Sequence, residues 1–134
     1  MTANIVTDTS AILAVLLDEP EKQALVEATL GSVLSAPASL RWEVGNAATA
    51  GVKRRRLTPG RARQLVADFE RVTIRELPID MTRAVDLGLE LGIYAYEAYI
   101  LEAARSSGFP LLALDGPIRR NAKKLGLSLV ELDL

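Results

Sequence analysis

Five short β-branched or leucine-rich runs, Asn4–Thr7, Val33–Ala36, Thr73–Leu77, Leu111–Leu114 and Leu129–Leu132, punctuate the chain, with a helical stretch between each and the next. Strands joined through helices need long right-handed crossovers, which lay the strands parallel and put helices over both faces of the sheet. The expectation is an α/β fold, a three-layer α/β/α sandwich around a mostly parallel five-stranded sheet. With 134 residues and no linker, repeat or low-complexity tract, the chain from 1 to 134 reads as a single domain.

Local signals place several helices. Thr58-Pro59 reads as N-cap and first-turn proline of a helix whose Ala62, Leu65, Val66 and Phe69 form a buried stripe. Asp80 caps the next, which runs through Ala84, Val85, Leu87 and Leu91 to Gly92. Pro20 divides two N-terminal helices, Thr9–Leu17 and Glu21–Leu30, because the residue before a proline is pushed out of the helical region. The longest apolar run, Ala11 to Leu17, falls far short of the roughly 20 residues that cross a bilayer. MTANIVTDTS lacks the features of a signal peptide, and the absence of cysteine suits a reducing compartment, so a cytoplasmic location without membrane association is expected.

The chain has neither histidine nor cysteine. Disulfides, thiolate or imidazole metal ligands, Ser-His-Asp and Cys-His catalysis and histidine proton shuttles are thereby excluded. Chemistry must rest on oxygen ligands, Lys, Tyr or Ser. The net charge is only −1, yet ten of the sixteen bases fall in two clusters, Lys53, Arg54, Arg55, Arg56, Arg61 and Arg63, then Arg119, Arg120, Lys123 and Lys124. Taken alone, the first cluster reads as a helix C-terminus and a solvated turn.

In open parallel sheets, ligands bind beyond the C-terminal ends of the strands. Asp8 ends the first run and Asp115 the fourth; if those strands are neighbours, the two carboxylates stand side by side. Either aspartate alone reads equally as a helix cap. Glu43 and Glu97 sit among apolar and small residues in LRWEVGNA and YAYEAYILEAA, where an unpaired charge costs several kcal/mol. Two carboxylates about 4 Å apart repel by roughly 4 kcal/mol at an effective dielectric near 20, so a shared pocket calls for a hard cation. Mg²⁺ or Mn²⁺ takes oxygen ligands and keeps waters for chemistry.

Asp8 in VTDTSAILA, Glu43 in the LRWEVGNA stretch, Glu97 in YAYEAYILEAA and Asp115 in LLALDGP together resemble the acidic quartet of PIN-domain nucleases. The small size is similar to the VapC toxins of bacterial VapBC toxin–antitoxin pairs. The likeness runs from Asn4 to Asp133 and departs at Glu97, where the family usually has aspartate. It implies metal-dependent hydrolysis of RNA phosphodiesters, with Asp8, Glu43, Glu97 and Asp115 holding Mg²⁺ or Mn²⁺ directly or through water. Thr9, Ser10 and Asn46 would orient a carboxylate or water, or merely satisfy helix ends. Lys53, Arg54, Arg55, Arg56, Arg61, Arg119 and Arg120 would draw in the RNA backbone. Trp42, Tyr94, Tyr96 and Tyr99 are candidates for stacking on bases, although core or dimer contacts are the commoner use of such aromatics. The likeness further implies a homodimer and a VapB-type antitoxin. The alternatives are a PIN-like module that only binds RNA or a partner, and a phosphoacceptor receiver domain. A receiver would want paired acids where Thr9-Ser10 follow Asp8, and a lysine after the fifth strand that SLVEL does not supply. A haloacid-dehalogenase-type phosphatase would need an aspartate where Ser10 stands.

Overall fold

The structure, a computed structural model, describes residues 3–134. Met1 and Thr2, which open the segment read above for a leader, lie outside the described residues. In chain order the elements are β1 (Asn4–Thr7), α1 (Thr9–Leu16), α2 (Lys22–Thr29), β2 (Val33–Ala36), α3 (Ser39–Lys53), α4 (Pro59–Glu70), β3 (Ile74–Glu76), α5 (Met81–Leu91), α6 (Ala95–Ser107), β4 (Leu111–Leu112) and α7 (Gly116–Lys124). The strands form one parallel sheet in the order β3-β2-β1-β4.

Alternation along the strands makes the three layers. Successive side chains of a strand point to opposite faces. Ile5 and Leu112 pack with Ala11, Ala14 and Leu25 of α1 and α2, whereas Val6 and Leu111 pack with Leu87, Ile100, Leu101 and Ile118 of α5, α6 and α7. Both faces are therefore covered, as a parallel sheet requires. α4 is capped as its sequence suggests, Thr58 Oγ1 accepting the Arg61 N–H at 3.0 Å, and buries Ala62, Leu65 and Phe69. Asp80 Oδ1 accepts the Arg83 N–H at 3.1 Å at the start of α5, and Gly92 ends it with φ of 67°, a left-handed conformation suited to glycine. Val66, expected in the buried stripe of α4, is instead partly exposed.

One expectation is corrected. The sheet has four strands, not five: Leu129 makes only an isolated parallel bridge to Leu111. The Leu111 N–H donates to the Ser128 carbonyl at 2.8 Å and the Val130 N–H to the Leu111 carbonyl at 2.9 Å. β4 leaves the ladder after Leu112 to enter the cap of α7, so its outer edge offers too little backbone to order a fifth strand. Among the described residues no helix is long and apolar enough to cross a membrane.

β1 has β2 on one side and β4 on the other, so strand order reverses between β1 and β4. The crevice beyond their C-terminal ends is where a sheet of this kind takes a ligand. Asp8 and Asp115 flank it.

Candidate functional site

Both aspartates cap helices, and this local role fixes their position. Asp8, fully buried, accepts the Ala11 N–H on Oδ1 at 2.8 Å and the Ser10 hydroxyl on Oδ2 at 2.6 Å. Asp115 Oδ2 accepts the Ile118 N–H at 3.1 Å at the start of α7. Ser10 Oγ in turn accepts the N–H groups of Leu114 and Asp115 at 3.2 and 3.1 Å. One hydroxyl thus ties the turn after β1 to the turn after β4. Burial pushes the Asp8 carboxyl up from 3.8 to about 6; hydrogen bonds from Ser10 and Ala11 offset part of the rise, and the charge of Asp115 adds to it.

Glu43, on the second turn of α3, and Glu97, on the first turn of α6, complete the group. All four carboxylates line one cleft of about 290 Å³, with Thr9 and Ser10 beside them. Its remaining walls are Leu13, Ile100 and Ile118. These apolar residues were not anticipated, yet Ile100 and Ile118 lie three positions after Glu97 and Asp115, the spacing that puts two side chains on one helix face. Burial raises Glu43 from 4.5 to about 7, with the charges of Asp8 and Glu97 adding to it. The Thr9 hydroxyl lies beside Glu43 and offsets part of this, but without forming a well-aligned hydrogen bond. Thr9 Oγ1 and Glu43 Oε2 are both buried with no partner. Glu97 is also raised, first by burial and then by Asp115. Each acid therefore feels at least one other across the cleft.

No Lys or Arg among the described residues pairs with any of the four. An all-oxygen donor set, an orphaned buried carboxylate oxygen and mutual repulsion without a balancing base fit a hard divalent cation. Among the described residues, however, no three acids converge tightly enough to chelate an ion with the side chains as they stand. Mg²⁺ tolerates that arrangement, since it keeps several waters and is commonly held through one or two carboxylates.

The basic residues divide. Lys53, Arg54, Arg55 and Arg56 are exposed at and beyond the end of α3. Arg54 lines a second groove of about 510 Å³ that shares Thr9 and Glu43 with the acidic cleft and adds Trp42, Asn46 and Tyr96. Asn46 therefore sits on the far side of Glu43, outside the lining of the acidic cleft. Arg61 and Arg119 are committed elsewhere. The Arg61 guanidinium donates to the Leu16 carbonyl at 2.7 Å and lies 3.9 and 4.0 Å from Asp18 and Asp68, while Arg119 donates to the Ala113 carbonyl at 2.8 Å. Arg120 folds over the start of α7, its Nη1 only 3.2 Å from where a Cβ on Gly116 would stand. Trp42, Tyr94 and Tyr96 are 65%, 84% and 53% exposed, so none of the three is a core residue.

Comparison with known proteins places this arrangement. The chain is similar in fold to PAE2754 from Pyrobaculum aerophilum, with TM-score 0.67, 20% identity, and 87% of this chain and 77% of that one covered. It is likewise similar to the structure of VapBC2 from Rickettsia felis bound to a DNA fragment from their promoter, with TM-score 0.67, 14% identity, and 97% and 99% covered. A third likeness is to Mycobacterium tuberculosis VapC20, described as a sarcin-ricin loop cleaving toxin, with TM-score 0.62, 15% identity, and 87% and 94% covered. No curated protein matches the sequence. The family model described as PIN domain matches residues 5–124, from within β1 to the end of α7, and the chain therefore belongs to the PIN domain family.

Proposed function

We propose that this chain is the ribonuclease toxin of a type II toxin–antitoxin pair, a cytoplasmic endonuclease that hydrolyses RNA phosphodiesters with Mg²⁺ or Mn²⁺ held by Asp8, Glu43, Glu97 and Asp115. The observation that carries the reading is the meeting of four carboxylates, from the cap of α1, α3, α6 and the cap of α7, in one cleft that among the described residues is lined by no Lys or Arg. Membership of the PIN family and the fold likeness to VapC20 and VapBC2 support it. The likeness to VapBC2 supports a VapB-type antitoxin as partner, and the proposal includes a homodimeric toxin.

When bound, the divalent ion supplies charge neutralisation at the phosphoryl oxygens and acidifies water. Asp8 is held rigidly by its own helix cap and by Ser10, so its oxygens cannot drift with substrate. In this proposal Glu43 orients the attacking water and accepts its proton, a role supported by its one buried, unpaired oxygen. Leu13, Ile100 and Ile118 give the cleft an apolar flank, which lowers the local dielectric and strengthens the charge interactions along it. The exposed bases from Lys53 to Arg56 offset the repulsion between an acidic cleft and a polyanion.

Asp8→Asn and Asp115→Asn keep side chains able to cap their helices while removing the charges. Each should lower Mn²⁺-dependent RNA cleavage at least 100-fold with the circular dichroism spectrum unchanged. Cleavage at the wild-type rate in both variants would overturn the proposal. The replacement of the family's aspartate by Glu97 favours a second reading, a PIN-like module that binds RNA without cutting it. RNA binding in chelator with no cleavage of any RNA tested in Mn²⁺ would decide for it.

A further inference from the structure

We infer that the turn after α3 is a preorganised clamp for backbone phosphate of the RNA, gripped by Arg55, which is retained there in a strained conformation that glycine would fill better. The inference rests on the nuclease reading and deepens it by naming residues that receive the substrate.

The turn closes with the hydrogen bonds of a Schellman motif. The Arg56 N–H donates to the Gly51 carbonyl at 2.8 Å and the Arg55 N–H to the Val52 carbonyl at 3.0 Å. On either side of the turn, Val52 and Leu57 pack on the cluster of Ala48, Ala62 and Leu65. Leu57 also lies over Gly51, where an added Cβ would stand 2.6 Å from Leu57 Cδ1. The turn is therefore anchored, and its bases leave from a fixed backbone.

The motif asks for a left-handed residue at position 55, where a Cβ crowds the backbone and glycine is the usual choice. Gly31, Gly92, Gly108 and Gly126 take that place just past the ends of α2, α5, α6 and α7, with φ between 67° and 75°. Among the described residues only Asp18 and Arg55 hold such a conformation without being glycine, at φ of 54° and 59°. Asp18, just past α1, has a local reason, since its carboxylate pairs with Lys22 and lies 3.9 Å from Arg61. Arg55 forms no ion pair among the described residues, and neither do Lys53, Arg54 and Arg56. The helix dipole does not account for it: Lys53 and Arg54 already put two cations at the end of α3, and the effect fades beyond the last turn. An unpaired guanidinium kept at a strained position points to an anion from outside the chain.

Place and chemistry identify that anion. Arg54, next in sequence, lines the groove that meets the acidic cleft at Thr9 and Glu43, so the turn stands beside the proposed cut. Arg54, Arg55 and Arg56 offer planar pairs of donors that match phosphate oxygens, and an RNA strand leaving the cleft brings phosphates in succession. Donors on a fixed backbone lose little entropy when they close on them.

Arg55→Gly and Arg55→Lys are compared with the wild-type full chain, by calorimetric melts in EDTA and by anisotropy of a labelled RNA dodecamer across a salt series. Arg55→Gly should melt about 4 °C higher, bind the RNA about tenfold more weakly and lose about one phosphate from the salt dependence. Arg55→Lys should keep the salt dependence, bind about threefold more weakly and melt no higher than wild type. In Mn²⁺, Arg55→Gly should raise KM for RNA about tenfold with kcat within about twofold of wild type, since the turn holds substrate away from the reacting atoms. Unchanged RNA affinity in Arg55→Gly, or a melt at or below that of wild type, each overturns the inference. Weakened binding of a decaglutamate peptide with RNA affinity unchanged overturns it in favour of an acidic protein partner. Mn²⁺-dependent cleavage together with unchanged RNA affinity in Arg55→Gly sinks the clamp and leaves the nuclease standing. RNA binding that depends on Arg55, with no cleavage, does the reverse.

Discussion

Replacing Asp8 by asparagine should stabilise the metal-free protein at neutral pH, although it damages the proposed site. Asp8 titrates near 6 when folded against an ordinary 3.8, because its carboxylate is fully buried beside Asp115. A raised folded value means that the protonated acid favours folding. That contribution is complete below 3.8 and is lost as pH rises through 6. At roughly 1.4 kcal/mol per unit of pKa, the ionised carboxylate costs the fold about 3 kcal/mol at pH 7.5. Asparagine escapes that cost. It keeps an oxygen for the Ala11 N–H but gives up the acceptor of the Ser10 hydroxyl, a loss of about 1 kcal/mol. The net gain of about 2 kcal/mol corresponds to a Tm about 8 °C higher in EDTA at pH 7.5. At pH 4 the gain should vanish, leaving the variant equal to or slightly below wild type. Mn²⁺ at 100 times its Kd should invert the order at pH 7.5, since it stabilises only the protein that holds it, by about 2.7 kcal/mol. Calorimetric melts of both proteins at pH 4 and 7.5, with and without Mn²⁺, measure all of this. A variant that melts lower than wild type in EDTA at pH 7.5, or a difference that does not change with pH, would refute the reasoning.

Ser10→Ala removes one donor and one acceptor at the junction of two turns and should cost about 2–3 kcal/mol in urea unfolding, with Ser10→Thr recovering part of it. Arg61→Ala should lower stability by about 1 kcal/mol and leave RNA affinity unchanged, because its guanidinium is occupied by the Leu16 carbonyl. Arg54→Ala should instead weaken RNA binding and reduce its salt dependence by about one phosphate, as read from affinities between 50 and 200 mM salt. Glu97→Asp should retain Mn²⁺-dependent cleavage at or above the wild-type rate, whereas Glu97→Ala should lose it; single-turnover rates separate the two.

The parts of the molecule legible in the sequence are those set by short-range chemistry. β-branched runs, the Thr58 and Asp80 caps and the aspartates at strand ends all act within a few residues, and Asp8 and Asp115 turn out to cap helices and line the cleft at once. The illegible parts depend on distant partners. Arg61 looks like a free cation until Leu16, 45 positions away, takes its guanidinium. Ser10 gives no sign that it will accept N–H groups 104 and 105 positions away. Leu129–Leu132 has the composition of a strand, but its pairing depends on how soon β4 turns away. The exposure of Trp42 and Tyr96 escapes the sequence for the same reason, since the groove they line exists only once α3 and α6 lie on either side of the switch point.

A crystal of the full chain soaked in Mn²⁺ and measured at an anomalous wavelength addresses the shared acidic cleft most directly. The account predicts an anomalous peak between β1 and β4, coordinated by Asp8 and at least one of Glu43, Glu97 and Asp115, with water completing the shell. Well-ordered carboxylates and no peak among them at millimolar Mn²⁺ would contradict it.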